Sequence, residues 1–195
     1  MADVRQAIIL ASQSPRRQEI LARAGIPFEV RVTGVEELRR DGEDPLGHVR
    51  RLAAAKASAV PEAGPRVVLG ADTVVVAGGA MLEKPAGRRH AAEMLRTLSG
   101  RYHEVITGIC LRSARKVIVD AEVTRVRFVP LTDNEIDTYV ATGEPMDKAG
   151  AYAIQGYASK FIDRIEGDYF NVVGLPVALV YKHLKDIWRE EPWQP

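Results

Sequence analysis

The apolar residues of this chain change period repeatedly along its length. Ala7–Ala11 is a short unbroken apolar run and predicts a strand. It is followed by Ser12-Gln13-Ser14-Pro15-Arg16-Arg17, after which Ile20 to Ala24 recur at helical spacing. A helix is therefore expected from Pro15 to about Arg23, with Ser14 as N-cap and Pro15 at the first position. Gly25 and Pro27 end it, and Phe28–Val32 alternates as a strand. Gly34 to Glu43 is charged and irregular, a loop carrying Glu36 and Glu37. Asp44-Pro45 opens a helix to about Val60 with Leu46, Val49, Leu52, Ala53, Ala57 and Val60 on its apolar stripe. Arg66–Leu69 and Thr73–Ala77 form a long apolar run interrupted by Gly70-Ala71-Asp72, and Gly78-Gly79 then makes a hairpin turn.

Later segments are longer. Arg88–Leu98 is helical and ends at Ser99-Gly100, while His103–Leu111 and Lys116–Val129 read as two long strands. Thr132–Thr142 is a helix with a capping box, Thr132 and Glu135, and Asp133 in its first turn. Gly143 to Tyr152, followed by Gln155-Gly156, is a structured polar loop. Phe161–Ile165 reads as a strand, Gly167 to Gly174 as a loop, and Pro176–Trp188 as the last helix. Alternating strands and helices give way to sequential strands. The expected class is α/β: a mixed, strongly twisted sheet flanked by helices, in two lobes with a central substrate cleft.

Several positions break the local rules in ways that suggest chemistry. Arg16 and Arg17 put positive charge in a first turn whose dipole is already positive, where a helix built for stability would place acids. An anion at that helix start would make sense of them, with backbone N–H groups, the Ser14 hydroxyl and guanidinium forks converging on phosphate. Two solvated surface arginines are the alternative. Lys56 lies inside an apolar stripe; it either snorkels to water or aims its ammonium at a ligand. Asp72 sits within a run of valines, where an acid needs a partner, a metal or a function; the competing view is a turn between two short strands. Lys84 precedes Pro85, which holds it extended with a defined direction.

Composition narrows the classes. A net charge of +1 argues against a nucleic-acid binder, so any positive cluster is local. The single cysteine, Cys110, cannot form an internal disulfide and fits a reducing compartment. Ile8-Ile9-Leu10 is too short for a signal-peptide core, and no run approaches a membrane span, so a cytoplasmic protein without membrane partners is expected. There is no Walker A or Rossmann glycine pattern, no metal-ligand spacing among the four histidines, and no nucleophile elbow. What remains is cations (Arg16, Arg17, Lys56, Lys84) and carboxylates (Glu37, Asp72), an inventory suited to hydrolysis of a phosphate ester or anhydride with a divalent metal.

Five motifs in order carry a resemblance. They are Leu10-Ala11-Ser12-Gln13-Ser14-Pro15-Arg16-Arg17, Gly70-Ala71-Asp72-Thr73, Glu83-Lys84-Pro85, Asp147-Lys148-Ala149-Gly150-Ala151-Tyr152 with Ile154-Gln155-Gly156, and Val172-Val173-Gly174-Leu175-Pro176. With these the chain closely resembles the Maf-like nucleoside triphosphate pyrophosphatases, from about residue 8 to 185, and reads as a single such domain over residues 1–195. The resemblance implies hydrolysis between the α and β phosphates of a nucleotide, a divalent cation (Mg²⁺ or Mn²⁺), and Asp72 as proton acceptor. From the residues themselves, Asp72 and Glu37 are the candidate metal ligands, and Ser14, Arg16, Arg17, Lys56 and Lys84 the candidate contacts of the triphosphate. Arg16, Thr73 and Gln155 match the subgroup acting on dTTP and UTP rather than the one acting on 7-methyl-GTP. A homodimer is the family expectation. Two other roles stay open: hydrolysis of other non-standard nucleotides, and a nucleotide-binding regulator of cell division or septum formation.

Overall fold

The computed structural model describes residues 7–32, 34–61 and 63–191. The elements are β1 (Ile8–Leu10), α1 (Pro15–Arg23), β2 (Phe28–Val30), α2 (Pro45–Ser58), β3 (Val68–Ala77), β4 (Ala80–Leu82), α3 (Arg88–Leu98), β5 (Tyr102–Arg112), β6 (Val117–Phe128), α4 (Asp133–Ala141), β7 (Ile162–Glu166), α5 (Tyr169–Val173) and α6 (Val177–Glu190). Three short 3₁₀ turns lie between α4 and β7. The strands form a mixed sheet in the order β2-β1-β3-β5-β6-β7, with β4 paired to β3. β1 runs parallel to β2 and β3, whereas the β3–β4 and β6–β7 pairs are antiparallel. Thus the α/β class with a mixed sheet flanked by helices is what the sequence pattern implied. No helix among the described residues is long and apolar enough to cross a membrane.

The chain divides into two compact units. The first comprises residues up to Asp72, Thr107–Glu122, and Gly174 onward; the second comprises Thr73–Ile106 and Val123–Val173. In the first unit, Ile9, Ala11, Ala53, Ala57, Val60, Val68 and Cys110 form a buried cluster. Helix α2 lies unusually close to the strands beneath it. A Cβ on Gly70 of β3 would stand 2.2 Å from Ala53 O, and one on Gly108 of β5 would stand 2.4 Å from Val49 O. The two strand glycines let the helix backbone rest directly on the sheet. Asp44 caps the helix start by accepting from Gly47 N at 3.0 Å, and Arg112 donates to Ala57 O (3.1 Å) and Val60 O (2.7 Å) at its end. That supplies partners for carbonyls the helix cannot satisfy itself and places a cation at the negative end of its dipole.

The second unit is built round aromatic rings. His103, Phe128 and Tyr152 meet edge-to-face, and Tyr139 packs edge-on to Phe161 while stacking on Tyr157. The expected capping box of α4 is present, Glu135 N donating to Thr132 Oγ1 and Thr132 N donating back to the Glu135 carboxylate.

Four sequence expectations are corrected. Gly70-Ala71-Asp72 does not interrupt the strand: β3 continues through it, because Gly70 serves the approach of α2 rather than a turn. The segment Gly167–Gly174 contains a helical turn, α5, whose start is held by Asp168 accepting from Phe170 N and Asn171 N. β2 ends at Val30 rather than Val32, and β7 begins one residue later than expected.

Candidate active site

Strand alternation places Gly70 and Asp72 on one face of β3, the face that meets α2. Because Gly70 lets the helix in, Lys56 of α2 comes directly over Asp72. Lys56 Nζ donates to Asp72 Oδ1 at 2.6 Å and to Ala71 O at 3.4 Å, and pairs with Glu37 Oε1 at 2.6 Å. Lys56 is 8% exposed and Asp72 7%, so the snorkelling alternative for Lys56 does not hold. Its three ammonium donors have three acceptors, which is what a buried charge requires. Glu37 lies on an exposed loop, anchored nearby by Arg51, which donates to Leu38 O at 3.0 Å and to the Glu43 carboxylate at 2.6 Å. Arg51 chiefly, with His48, holds the Glu43 carboxyl down at about 2.

Arg17 belongs to the same cluster. It is 8% exposed, and its guanidinium donates to Gly174 O (2.9 Å), Ala71 O (2.9 Å) and Ser12 Oγ (3.1 Å). The solvated-arginine alternative is therefore excluded for Arg17. Burial lowers its pKa from the ordinary value, opposed by the charges of Asp72 and Glu37; an arginine stays protonated through such a shift. Ala71 O thus accepts from two cations, Arg17 and Lys56, and the peptide preceding Asp72 is held from both sides. Ser14 occupies the N-cap position of α1, but its side chain makes no cap bond; instead its backbone N–H donates to Ser12 Oγ at 3.2 Å. Ser14 and Arg16 are both half-buried at the start of α1.

Of the sequence-selected residues, the structure brings Glu37, Lys56 and Asp72 into contact and joins Arg17 to them through Ala71 O. Ser14 and Arg16 lie in the first unit with them, whereas Thr73, Lys84 and Gln155 belong to the second. Thr73 is half-buried on β3. Lys84 is exposed, and the segment bearing it is tied down where Gly150 N donates to Glu83 O at 3.2 Å. Gly150 has φ of +68°, and a Cβ there would meet the Val75 side chain at 2.9 Å, so glycine is required on both counts. Gln155 is exposed in a turn closed by Gly156 N donating to Ala153 O at 3.2 Å.

Sequence reasoning missed Tyr139 and Glu144. Tyr139 is fully buried and its hydroxyl donates to Glu144 Oε1 at 2.9 Å. Burial first, and then this bond, push the phenol above its usual range, so it keeps its proton. The one available signal was a carboxylate in a Gly-Glu-Pro turn, which says nothing about what it would meet.

Among the described residues there is no group of three or more His, Cys, Asp or Glu side chains placed to hold a metal. Two carboxylates, Glu37 and Asp72, do converge on one point, where the Lys56 ammonium stands. That pair suits Mg²⁺ or Mn²⁺, which take one or two carboxylates together with substrate phosphates rather than a full protein cage.

The model of the Maf-like protein family matches residues 7–187. This chain belongs to that family. A relative from Koribacter versatilis named "dTTP/UTP pyrophosphatase" is 52% identical over 179 residues, covering 91% of this Maf-like chain and 93% of its own length. One of the same name from Symbiobacterium thermophilum is 54% identical over 173 residues, covering 88% and 89%. The Ham1 protein of Staphylococcus aureus shares the fold at a TM-score of 0.51 and 13% identity, over 93% of this chain and 99% of that one.

Proposed function

We propose that this Maf-like chain is a nucleoside triphosphate pyrophosphatase acting on dTTP and UTP, releasing the monophosphate and pyrophosphate. The observation that carries the reading is the buried Lys56–Asp72 contact at 2.6 Å, with the peptide before Asp72 held by Arg17. It gives a carboxylate of fixed direction in a chain about half identical to proteins of that name.

In this reading Asp72 orients a water and accepts its proton as the water oxygen bonds to the α phosphorus. The bond from that phosphorus to the α–β bridging oxygen breaks, and pyrophosphate leaves with the electron pair. Such a base contributes about 10²–10⁴-fold. Lys56 holds the Asp72 carboxylate in direction through Oδ1, leaving Oδ2 as the oxygen we assign to the water. Arg16, Lys84 and the Ser14 hydroxyl at the helix start bind phosphate oxygens, while Lys56, its three donors already engaged, contributes its positive charge. We further assign Arg17 to positioning the peptide before Asp72, because its Nε and Nη1 serve three acceptors of the protein. Gln155, which both donates and accepts through its amide, reads the pyrimidine edge, with Arg16 and Thr73 contributing to the same preference. A divalent cation, Mg²⁺ or Mn²⁺, held by Asp72 and Glu37, supplies charge neutralisation to the phosphates when bound.

The test is pyrophosphate release from dTTP, UTP, CTP, GTP, 7-methyl-GTP and ITP with Mg²⁺ or Mn²⁺, alongside Asp72→Asn. Preference for dTTP and UTP, lost by about a hundredfold or more in the variant, is the expected result. Turnover centred on another nucleotide would keep the reaction and overturn the subgroup. Nucleotide binding with no turnover would favour the cell-division regulator instead.

A further inference from the structure

Gln155 is exposed, yet the backbone on either side of it is held by two side chains the reaction itself does not use. Ala153 N donates to Tyr139 Oη at 3.2 Å, and Tyr157 N donates to Glu144 Oε2 at 3.1 Å. The two acceptors are joined to each other, Tyr139 Oη donating to Glu144 Oε1 at 2.9 Å. The Tyr157 ring stacks on Tyr139 with centroids 5.7 Å apart and planes 10° apart. Between them, a Cβ on Gly156 would stand 2.3 Å from Glu144 Oε2, so the carboxylate lies flat against the turn.

Resting on the reading that Gln155 selects the base, we propose that Tyr139 and Glu144 are positioning residues for it, a clamp that fixes the turn of residues 153–157 and through it the direction of the Gln155 amide. The chemistry fits. A phenol that donates once and accepts once, and a carboxylate with two separate oxygens, serve two N–H donors two residues to either side of Gln155. A selective amide must present its donor and acceptor in fixed order, and an exposed side chain on an unclamped turn would present both in many directions.

The experiment is a cycle of Tyr139→Phe and Gln155→Ala on the full chain, reading kcat and KM for dTTP and for GTP. Tyr139→Phe keeps the ring and its stacking and removes only the hydroxyl. Both single variants are expected to lower the dTTP-over-GTP ratio of kcat/KM by about tenfold, mainly through KM for dTTP, and the double variant to lose no more than Gln155→Ala alone. Should Tyr139→Phe fail to fold, Glu144→Gln takes its place, since an amide has one acceptor oxygen for the two donors the carboxylate serves. A selectivity lost in Gln155→Ala but intact in the folded clamp variant would overturn the clamp and leave Gln155 in its role. Losses that simply multiply in the double variant would overturn it equally. Selectivity unchanged in Gln155→Ala would overturn the role of Gln155 and the clamp with it.

Discussion

Replacing Lys56 with methionine removes an ammonium and keeps an unbranched side chain of similar length. Three acceptors lose a donor. Ala71 O still receives Arg17, and Glu37, half exposed, turns back to water at a cost of about 0–1 kcal/mol. Asp72 has no such recourse at 7% exposure. Removing one member of a buried pair leaves an uncompensated charge, worth about 3–5 kcal/mol. In a chain of this length that lowers the melting temperature by roughly 6–20 °C. Asp72→Asn alone leaves Lys56 with Glu37 and Ala71 O, so a smaller loss of about 1–2 kcal/mol is expected. The double variant lacks both charges of the pair and should be more stable than Lys56→Met alone, although inactive. Urea unfolding of the four proteins, followed by circular dichroism, closes the cycle. A Lys56→Met protein within about 1 kcal/mol of wild type, or a double variant whose losses merely add, would refute the claim that Asp72 depends on Lys56.

Three further outcomes follow from the same structure. Gly70→Ala would put a methyl 2.2 Å from Ala53 O, backbone against backbone; a loss of about 3 kcal/mol or more together with reduced turnover is expected, whereas Gly34→Ala, with open space around it, should be neutral in thermal melts. His103 is buried, and burial lowers its pKa from 6.5 to about 4. The unfolded chain therefore binds this proton more readily, and stability should fall as pH drops from about 6.5 toward 4, by about 3 kcal/mol at the lower end; an unfolding profile no flatter in His103→Phe would contradict this. Chelation should abolish pyrophosphate release, with Mg²⁺ or Mn²⁺ restoring it; full activity in excess chelator would remove Glu37 and Asp72 as ligands.

Some of this architecture was legible from spacing and some could not be. The caps at Asp44 and at Thr132 with Glu135 are local devices, and the chain shows them directly. Ser14 is the instructive exception: it stands at the N-cap position, but its hydroxyl makes no cap bond, and Ser12 Oγ takes the nearby N–H. Lys56 and Asp72 each stood out as a charge in an apolar pattern, but their contact depends on a third residue, Gly70, whose purpose becomes visible only once α2 lies on β3. Gly70 resembled a turn because glycine is used for both jobs. Tyr139 gave no signal and Glu144 only its place in a Gly-Glu-Pro turn, since their partners at Ala153 and Tyr157 are backbone groups that every residue carries. Arg17 stood out as a charge in a first turn, but spacing could not show that its Nε and Nη1 find acceptors at Ser12, Ala71 and Gly174.

The last of these acceptors has a consequence for the order in which the protein is made. Gly174 follows Arg17 by 157 residues, and the first unit is assembled from three separated stretches of chain, the last beginning at Gly174. At translation speeds of about 5–20 residues per second, the guanidinium waits roughly eight to thirty seconds for its acceptor to be made. A nascent or truncated chain ending at residue 173 already carries Asp72, Lys56 and Glu37 but lacks this tie. The guanidinium thus gains this tie only after the stretch beginning at Gly174 has been made.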